Sequence, residues 1–434
     1  MTPSARLSAV VELLDISFNS TGRAEQSVGS YFRARRYAGS KDRRWITEQF
    51  FQILRRLGEL DFLLEELDLA VNSRNRAILS LMVFNALPLA EIIAGYFTGT
   101  HALQEPDDAD IAKFTGYSSL DFNREHLLAR KNFPQWMLTR LERVYDSKLT
   151  SIVKAYADRA PVTLRVNPLK ADRDSVLEKL AKQDIPSQPT DISPLGIRLQ
   201  KPQNLSANAL YKEGYLEIQD EAAQISALLA GAKPDSKVID YCAGGGGKSL
   251  VLAASMENRG KLYAFDINSR RMKDIAERCQ RAGIDIVEQY VLSEDKQNQA
   301  SIEKLLGAAD LVYVDAPCTG SGTWRRQPEQ KWILTEEQFS DYVTLQRTIL
   351  ADASHYVKVG GQLVYATCSI FAEENAEQID LFLSEHSNFE RTDVSMVWQG
   401  AGLQQYPIEG PDLQITPDQF GADGFYSAIL RRVS

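Results

Sequence analysis

The feature that most constrains the fold of this chain is a regular alternation of strand and helix patterns over residues 221–434. Short apolar runs typical of buried strands lie at 237–241, 261–265, 311–314 and 362–366. Amphipathic helix patterns separate these runs, and the pattern at 269–282 ends at Gly283, a common helix stop. The alternation predicts a doubly wound, Rossmann-like α/β domain.

Reactive groups follow the predicted strands at the point where each strand ends. They are Asp240 with the glycine run after it, Asp266, Asp315 with the nearby Cys318, and Cys368. Ligands of doubly wound sheets bind beyond the carboxyl ends of the strands. We therefore expect these groups to face one common cleft.

The loop after the first strand, residues 240–249, reads D-Y-C-A-G-G-G-G-K-S. Its glycines allow the backbone to approach a ligand closely, and the helix that follows has an electropositive N-terminus. The spacing fits neither a P-loop nor a G-x-G-x-x-G dinucleotide site, since each lacks one required glycine. A flexible turn from strand to helix is the structural alternative. Asp266, at the end of the second strand, is placed either to bind a ribose diol or to cap the next helix.

The four cysteines are Cys242, Cys279, Cys318 and Cys368, and their spacing fits no zinc motif, so we expect no metal. Cys318 and Cys368 both follow predicted strands, where a thiolate can act as a nucleophile, although such a cysteine is more often a small core residue. Cys279 lies on an apolar helix face and is predicted to be structural, and Cys242 is predicted to serve packing or the backbone. Few thiols in a long chain indicate a reducing, cytoplasmic location.

Two regions precede the α/β domain. Residues 1–140 have helical periodicity, with one helix predicted to begin at Ser40 and to end near Gly58. Residues 145–220 combine alternating strand patterns with a helix pattern and predict a small α+β unit. The apolar stretch Ala77–Ala90 is too short to span a bilayer, so we expect no membrane partner.

The charge of the chain is uneven. Its 49 basic and 58 acidic residues give a net charge of −9, which is weak evidence against binding a polyanion. Residues 1–60 nevertheless hold ten Lys and Arg against six acids. This excess indicates either a surface that attracts a phosphate backbone or an ordinary solvated helix face.

Together these motifs resemble those of the RsmB-type family of RNA cytosine-5 methyltransferases, which depend on S-adenosylmethionine. The family pattern is close to D-x-C-A-x-P-G-G-K-[TS], an acid that ends the second strand, D-A-P-C-[ST]-G-x-G and T-C-S. The matching segments are Asp240–Ser249, Asp266, Asp315–Gly322 and Thr367–Ser369. Pairing D-A-P-C with T-C-S is specific, because single-cysteine DNA cytosine methyltransferases lack the second motif. Leu164-Arg165-Val166-Asn167 and Asp423-Gly424-Phe425-Tyr426 also resemble family segments.

The resemblance implies a domain order and a site. The expected domains are a NusB-like RNA-binding domain (1–140), an RRM-like subdomain (145–220) and a Rossmann-like methyltransferase domain (221–434). The expected cofactor-binding residues are Cys242, Ala243, Gly244, Gly245, Gly246, Gly247, Lys248, Asp266 and Asp315. Cys368 is implied as the nucleophile, Cys318 as the residue that helps remove the C5 proton or release the adduct, and Asp315 as the partner of the cytosine N3/N4 edge. The implied substrate is 16S ribosomal RNA.

Two departures from the family pattern and two alternatives accompany this interpretation. The usual proline of the glycine loop is Gly245 here, and no acid ends the third strand in register. Asp295 is a distant candidate for the missing contact to adenine. The alternatives are a tRNA cytosine-5 methyltransferase and a catalytically silent RNA-binding factor of ribosome assembly. The presence of both cysteines and both cleft acids counts against the silent factor.

Overall fold

The computed structural model describes residues 1–20, 22–120, 125–292, 299–404 and 409–434. Its helices are α1 (Pro3–Phe18), α2 (Ala24–Ala34), α3 (Ser40–Arg55), α4 (Leu57–Glu66), α5 (Ser73–Phe84), α6 (Leu89–Tyr96), α7 (Asp108–Thr115), α8 (Glu125–Lys131), α9 (Gln135–Tyr145), α10 (Leu149–Ala155), α11 (Arg173–Ala181), α12 (Ala209–Lys212), α13 (Glu221–Leu229), α14 (Gly247–Ser255), α15 (Ser269–Ala282), α16 (Gln299–Glu303), α17 (Gln330–Ile333), α18 (Glu336–Ser354), α19 (Ala376–Glu385) and α20 (Val394–Trp398). Its strands are β1 (Thr163–Val166), β2 (Ser187–Pro189), β3 (Gly196–Leu199), β4 (Leu216–Ile218), β5 (Lys237–Asp240), β6 (Lys261–Asp266), β7 (Val287–Val291), β8 (Ala309–Asp315), β9 (Val357–Thr367), β10 (Phe389–Thr392), β11 (Leu413–Ile415) and β12 (Phe425–Arg432).

The chain divides into two compact units. The helical unit comprises Met1–Arg159 together with Trp324–Leu334, and the α/β unit comprises Ala160–Thr323 together with Thr335–Ser434. Every strand lies in the α/β unit, and α1–α10 and α17 form the described regular structure of the helical unit along with short 3₁₀ turns. The helices predicted over residues 1–140 are therefore present.

The predicted end of the helix that begins at Ser40 is wrong. This helix, α3, ends at Arg55, and Gly58 lies inside the next helix, α4. A Cβ atom at Gly58 would lie 1.8 Å from the carbonyl oxygen of Lys131 and 2.7 Å from the ring of Trp332. The glycine is required by close packing within the helical unit and not by a helix stop.

The apolar stretch at Ala77–Ala90 is divided between α5 and the start of α6. Searching the described part of the chain finds no helix with the length and hydropathy needed to cross a bilayer. The core residues of α5, such as Ile78 and Leu79, are instead fully buried in the helical unit.

Residues 324–334, named the inserted segment below, complete the core of the helical unit although they are distant from it in sequence. Glu329 accepts a hydrogen bond at 3.1 Å from the backbone N–H of Ala24, the first residue of α2. Lys331, which is fully buried, donates at 2.9 Å to the carbonyl oxygen of Arg55 at the end of α3. The segment thus satisfies backbone groups at two helix termini, which otherwise lack intrahelical partners.

The α/β unit contains two sheets. The smaller one has four antiparallel strands in the order β2-β3-β1-β4, and α11 packs on it. The larger one has the order β10-β12-β9-β8-β5-β6-β7, with β11 paired to β12. Its strands β5 to β9 are parallel, and β12 is antiparallel to β9. Helices between successive parallel strands make this the predicted Rossmann-like sheet.

Polar side chains of β1 join the small sheet to the large one. Arg165 donates at 2.9 Å to the carbonyl oxygen of Gly247, the first residue of α14. Asn167 donates at 3.0 Å to Gly214 and at 2.9 Å to Ala282, the last residue of α15. Burial lowers the pKa of Arg165 to about 10, against the opposing effect of Glu217. The Leu164–Asn167 segment therefore supports the loop that precedes α14.

Candidate active site

The order of the large sheet reverses between β5 and β8, because the chain builds β5-β6-β7 to one side and β8-β9 to the other. Crevices at such reversal points are the usual ligand sites of doubly wound sheets. The glycine loop follows β5 and the D-A-P-C loop follows β8, so both border this crevice. The predicted convergence of the strand ends is present.

The glycine loop has backbone conformations that favour glycine. Gly244 and Gly246 have positive φ angles of +54° and +78°, and Gly246 precedes the first turn of α14. A Cβ atom at Gly246 would lie 3.0 Å from Ile275 of α15. These two glycines therefore meet a specific backbone requirement, which a freely flexible turn would not impose.

Asp266 is bonded to the glycine loop. Its Oδ2 accepts from the backbone N–H of Gly244 at 2.8 Å, and its Oδ1 accepts from that of Asn268 at 2.7 Å. The N-cap of α15 is Asn268 and not Asp266, so the capping alternative is wrong. Each carboxylate oxygen has a second lone pair and can still accept a bond from a ligand.

Lys248 and Asp315 form an ion pair across the crevice, with Nζ and Oδ2 2.6 Å apart. Burial favours the neutral form of Lys248, but the charge of Asp315 and its hydrogen bond outweigh that effect and raise the pKa of the amine. The ammonium also interacts electrostatically with Cys368 and lies 5.5 Å from the ring centre of Phe425. One cation is thus shared between the glycine loop and the groups at the ends of β8 and β9.

We expect Asp240 to face the cleft, but the sequence does not predict a specific role for it. It is fully buried, and its Oδ2 accepts a bond of 2.6 Å from the Ser249 hydroxyl. Its Oδ1 has no hydrogen-bond partner among the described residues. Burial, helped by the charges of Asp315 and Asp266, raises the pKa of Asp240 to about 7.

The two cysteines after β8 and β9 lie side by side. The Sγ atoms of Cys318 and Cys368 are 3.4 Å apart, and both residues are partly exposed. The neighbouring sulfur of Cys368 and burial together raise the pKa of the Cys318 thiol well above its usual value. The backbone links the same loops, since the N–H of Gly322 donates to the carbonyl oxygen of Cys368 at 2.9 Å.

The other two cysteines, Cys242 and Cys279, have thiols whose pKa values are raised by burial. Burial raises the pKa of the Cys242 thiol far above its ordinary range, with further contributions from nearby acids. Cys279 is buried on α15, and burial raises the pKa of its thiol to about 11. Burial thus disfavours the thiolate form of both residues, and Cys279 packs in the core as predicted.

Glu374 is the main residue of this region that sequence reasoning missed. It is fully buried and accepts hydrogen bonds from Thr319, Gln346 and Ser369. In the sequence, only its position five residues after Ser369 and next to Asn375 could have drawn attention to it. Its hydrogen-bond partners are far apart along the chain. Such a contact follows only from the folded arrangement of β8, α18 and β9.

Gly322 of the D-A-P-C loop touches the turn before β12. Its carbonyl oxygen accepts from the N–H of Gly424 at 2.9 Å, and a Cβ atom at Gly322 would lie 2.0 Å from the Gly424 oxygen. The Asp423–Tyr426 segment therefore packs directly against the loop that carries Cys318.

Two expectations concern other ligands. Among the described residues, no group of three or more His, Cys, Asp or Glu side chains could hold a metal ion. Asp295, the distant candidate for the adenine contact, lies outside the described residues. Glu288, the second residue of β7, pairs with Lys261 at 2.7 Å.

The fold and the loops at its switch point define the class of Rossmann-like methyltransferases that use S-adenosylmethionine. Residues 227–431 match the family described as 16S rRNA methyltransferase RsmB/F, and residues 133–206 match the ferredoxin-like domain of RsmF/B-like methyltransferases. The second match supports the predicted small α+β unit.

Comparison with individual proteins supports the same family. The chain is 30% identical over 307 residues to the probable ribosomal RNA small subunit methyltransferase B of Bacillus subtilis (strain 168), covering 70% of this chain and 68% of that protein. It is 28% identical over 410 residues to the ribosomal RNA small subunit methyltransferase B of Proteus mirabilis (strain HI4320), covering 90% and 91%. The crystal structure of PH0851 is 25% identical, with a TM-score of 0.74 over 100% of this chain and 99% of that one. The chain belongs to the RsmB/F family of rRNA methyltransferases, and its cofactor is S-adenosylmethionine.

Proposed function

We propose that this protein methylates C5 of a cytosine in small-subunit ribosomal RNA through a covalent bond between Cys368 and C6 of the base. The observation that carries the proposal is the 3.4 Å contact between the Cys318 and Cys368 sulfur atoms, beside the Lys248–Asp315 ion pair. Two thiols, a carboxylate and an ammonium at one crevice are the groups that this reaction needs.

The residues of the crevice fit S-adenosylmethionine. Residues 242–247 would hold it through their backbone, with Lys248 and Asp315 beside it and Asp266 at its ribose. Three acids, Asp240, Asp266 and Asp315, end neighbouring strands, and Asp240 retains a buried oxygen with no partner in the described part of the chain. A negative field at this edge suits a cationic ligand. When bound, the cofactor supplies an electrophilic methyl group.

Cys368 makes the cytosine ring reactive. C5 of cytosine is a poor nucleophile, but a thiolate that adds to C6 forms a sulfur–carbon bond and leaves an electron pair available at C5. That pair takes the methyl group. Loss of the C5 proton then restores the C5–C6 double bond as the sulfur–carbon bond breaks, and the thiolate is recovered. The Lys248 ammonium, paired with Asp315 at 2.6 Å, supplies a positive charge in the same crevice.

Cys318 and Asp315 act on the same base. The raised pKa of Cys318 favours the neutral thiol beside Cys368 before the reaction. To take the C5 proton, Cys318 first releases its thiol proton to solvent, and its thiolate then accepts the C5 proton as the bond between Cys368 and C6 breaks. Asp315 binds the N3/N4 edge and stabilises the charge that develops there. The target base must leave any stack to reach these groups.

The helical unit is proposed as a NusB-like RNA-binding domain. Arg33, Arg36 and Lys41 are exposed at the end of α2 and the start of α3. Of the ten basic residues in 1–60, Arg6, Arg35, Arg44 and Arg56 pair with acids and are therefore partly neutralised. The exposed group is the stretch best suited to attract a phosphate backbone.

Substitution of the cysteines tests the mechanism. We expect Cys368→Ala to abolish methyl transfer from labelled S-adenosylmethionine to RNA, because no sulfur can then add to C6. We expect Cys318→Ala to accumulate a protein–RNA adduct, seen as a denaturant-stable band of lower mobility on a gel. Cys279→Ala is the matched control, since it removes a thiol outside the site, and it should retain activity.

Two results would contradict this assignment. An adduct with Cys368→Ala in place of Cys318→Ala would exchange the roles of the two cysteines. Wild-type protein that binds RNA without transferring methyl groups would favour the silent assembly factor.

The identity of the RNA is tested separately. Small-subunit rRNA, assembling small subunits and total tRNA should each be treated with the protein, digested to nucleosides and analysed by mass spectrometry. We expect 5-methylcytidine in the ribosomal samples. Its appearance in tRNA alone would replace the ribosomal substrate with the tRNA alternative.

A further inference from the structure

We propose that Glu374 is a positioning residue that holds the two cysteine loops at reacting distance. The inference rests on the proposed function, because the loops that Glu374 holds carry the two proposed catalytic cysteines. Glu374 touches neither sulfur in the contacts described, and it acts through the residue that follows each cysteine.

The carboxylate joins both loops through Thr319 and Ser369. Its Oε1 accepts from the Thr319 backbone N–H at 2.8 Å, and its Oε2 accepts from the Thr319 hydroxyl at 2.6 Å. The Ser369 hydroxyl also donates to Oε2. Thr319 is the residue after Cys318, and Ser369 is the residue after Cys368. One side chain therefore bonds the residue immediately beyond each thiol, through the backbone and hydroxyl of Thr319 and the hydroxyl of Ser369.

A third contact connects the same group to α18. Gln346 donates to Glu374 Oε1 at 2.9 Å and to the carbonyl oxygen of Pro317 at 2.9 Å. Pro317 precedes Cys318, so the Cys318 backbone is held on both sides. These donors fill the acceptor sites of a carboxylate, and this explains why a charged group is tolerated in a fully buried position.

Neighbouring contacts hold Glu374 itself in place. Asn375 accepts from the Thr367 hydroxyl at 2.5 Å and donates to the Ser369 carbonyl oxygen at 3.0 Å. The hydroxyl of Tyr365 donates to the backbone oxygen of Glu374 at 2.7 Å. The short segment after β9 is therefore bonded back onto the end of the same strand.

Two substitutions of Glu374, by alanine and by glutamine, distinguish the loss of its hydrogen bonds from the loss of its charge. Glu374→Ala removes the acceptor shared by Thr319, Ser369 and Gln346, so we expect the loops to move. Glu374→Gln keeps one oxygen for the Thr319 N–H and Gln346, and its amide can donate to the two hydroxyls once they turn. A positioning role predicts that glutamine rescues most of the function that alanine loses.

The distance between the thiols can be measured without any methyl transfer. Diamide, an azo oxidant, joins two neighbouring thiols: a sulfur–sulfur bond forms, and the two hydrogens reduce the N=N bond to a hydrazine. Peptide mapping then gives the rate at which the Cys318–Cys368 disulfide forms. We expect Glu374→Ala to slow this rate about tenfold, because disulfide geometry is demanding, and Glu374→Gln to stay near wild type.

Glu221→Ala is the matched control. Glu221 is also fully buried and accepts two backbone N–H bonds, from Ile192 and Ser193, but it contacts neither cysteine loop. We expect it to lower thermal stability and to leave the disulfide rate unchanged. Should Glu374→Ala not fold, Thr319→Val removes one of the same contacts and should slow the reaction to a smaller degree.

Methyl transfer provides the second measurement. We expect Glu374→Ala to lower kcat about 100-fold with the KM for S-adenosylmethionine unchanged, because misplaced reacting groups lose rate. A disulfide rate equal to wild type in both Glu374→Ala and Thr319→Val would overturn the proposal. If the rate falls as expected while wild-type protein transfers no methyl group, the positioning role stands and the proposed function fails.

Discussion

The helical unit buries a basic side chain, Lys331, and the α/β unit buries an acidic one, Asp240. In the helical unit, burial and the nearby Arg55 lower the pKa of the Lys331 amine to about 7. In the α/β unit, burial and nearby acids raise the pKa of Asp240 to about 7. Lys331 donates to a backbone carbonyl within a packed core, whereas Asp240 ends a strand beside two others that also end in acids, Asp266 and Asp315. The comparison teaches that a perturbed pKa marks a functional site only where other reactive groups converge.

The two groups give opposite dependences of stability on pH. The folded-state pKa of Lys331 lies below its model value of 10.5, so the folded unit gains stability as the pH rises from about 7 to 10.5. The folded-state pKa of Asp240 lies above its model value of 3.8, so its stability contribution is present below that value and is lost as the pH rises to about 7.

The largest expected effect is on methyl transfer, and it comes from a closely packed glycine of the α/β unit, Gly322. Gly58 is the comparable glycine of the helical unit. Gly322→Ala places a Cβ atom against the Gly424 oxygen in the loop that carries Cys318. We expect methyl transfer to fall about 100-fold, because displacement of a reacting group costs rate, as measured by single-turnover kinetics at saturating RNA. Disulfide formation between Cys318 and Cys368 should slow as well.

Gly58→Ala is the matched change in the helical unit, where the clash is with the Lys131 oxygen. We expect a loss of stability of about 1–3 kcal/mol from overpacking, with the disulfide rate unaltered. Equal effects of the two substitutions on that rate would remove the distinction between the units.

The next effect concerns the buried amine. Lys331→Met removes the donor to the Arg55 carbonyl oxygen at every pH, so the pH dependence is the test. We expect the unfolding temperature of wild type to rise relative to that of the variant as the pH increases from about 7 to 10, because the buried lysine is costly where the unfolded chain is protonated. Intrinsic fluorescence follows this unit, because four of the five tryptophans, Trp45, Trp136, Trp324 and Trp332, lie in it. Parallel curves for the two proteins across this pH range would be inconsistent with the lowered pKa.

Asp240→Asn should behave in the opposite way. Its amide oxygen can still accept from Ser249, and the cost of a buried negative charge is removed. We expect the variant to gain stability over wild type as the pH rises from about 4 to 7, with no further gain at higher pH. Calorimetry without the cofactor measures this, and a gain that shrinks with rising pH would contradict the sign derived above.

The smallest effect lies within the glycine loop. Gly245 has no positive φ angle, and a Cβ atom there would lie 3.4 Å from the Arg278 side chain and 3.9 Å from the backbone oxygen of Arg271. We expect Gly245→Ala to stabilise the protein by about 0.4–1 kcal/mol through the unfolded chain. Gly246→Ala, at a φ of +78°, should destabilise it, and urea unfolding measures both. A destabilised Gly245→Ala variant would mean that the close contact with Arg278 does not relax.

Much of the α/β unit could be predicted because its determinants are local. The strand ends at Asp240, Asp266 and Asp315 follow from short apolar runs, and the capping box at Thr335 marks the start of α18. The pairing of Cys318 with Cys368 follows from the general rule that parallel strands end at the same edge. These features need no knowledge of how distant side chains pack.

The features that could not be predicted depend on long-range contacts. Glu374 is one of several acids near Ser369, and nothing in the sequence relates it to Thr319 or Gln346. Gly58 has the pattern of a helix stop, yet its identity is set by Lys131 and Trp332. Propensity and periodicity describe neighbours along the chain and not the close approach of segments that are far apart.

Because of the inserted segment, the helical unit cannot finish folding until part of the α/β unit has been synthesised. A nascent chain emerges from its N-terminus, so α1–α10 are made well before Glu329 and Lys331. Until those two residues appear, the start of α2 and the end of α3 lack the acceptor and donor that they bind in the finished protein. The helical unit therefore acquires its complete core only after Cys318 has been translated, and a truncated product that ends earlier would expose an unfinished surface to chaperones and proteases.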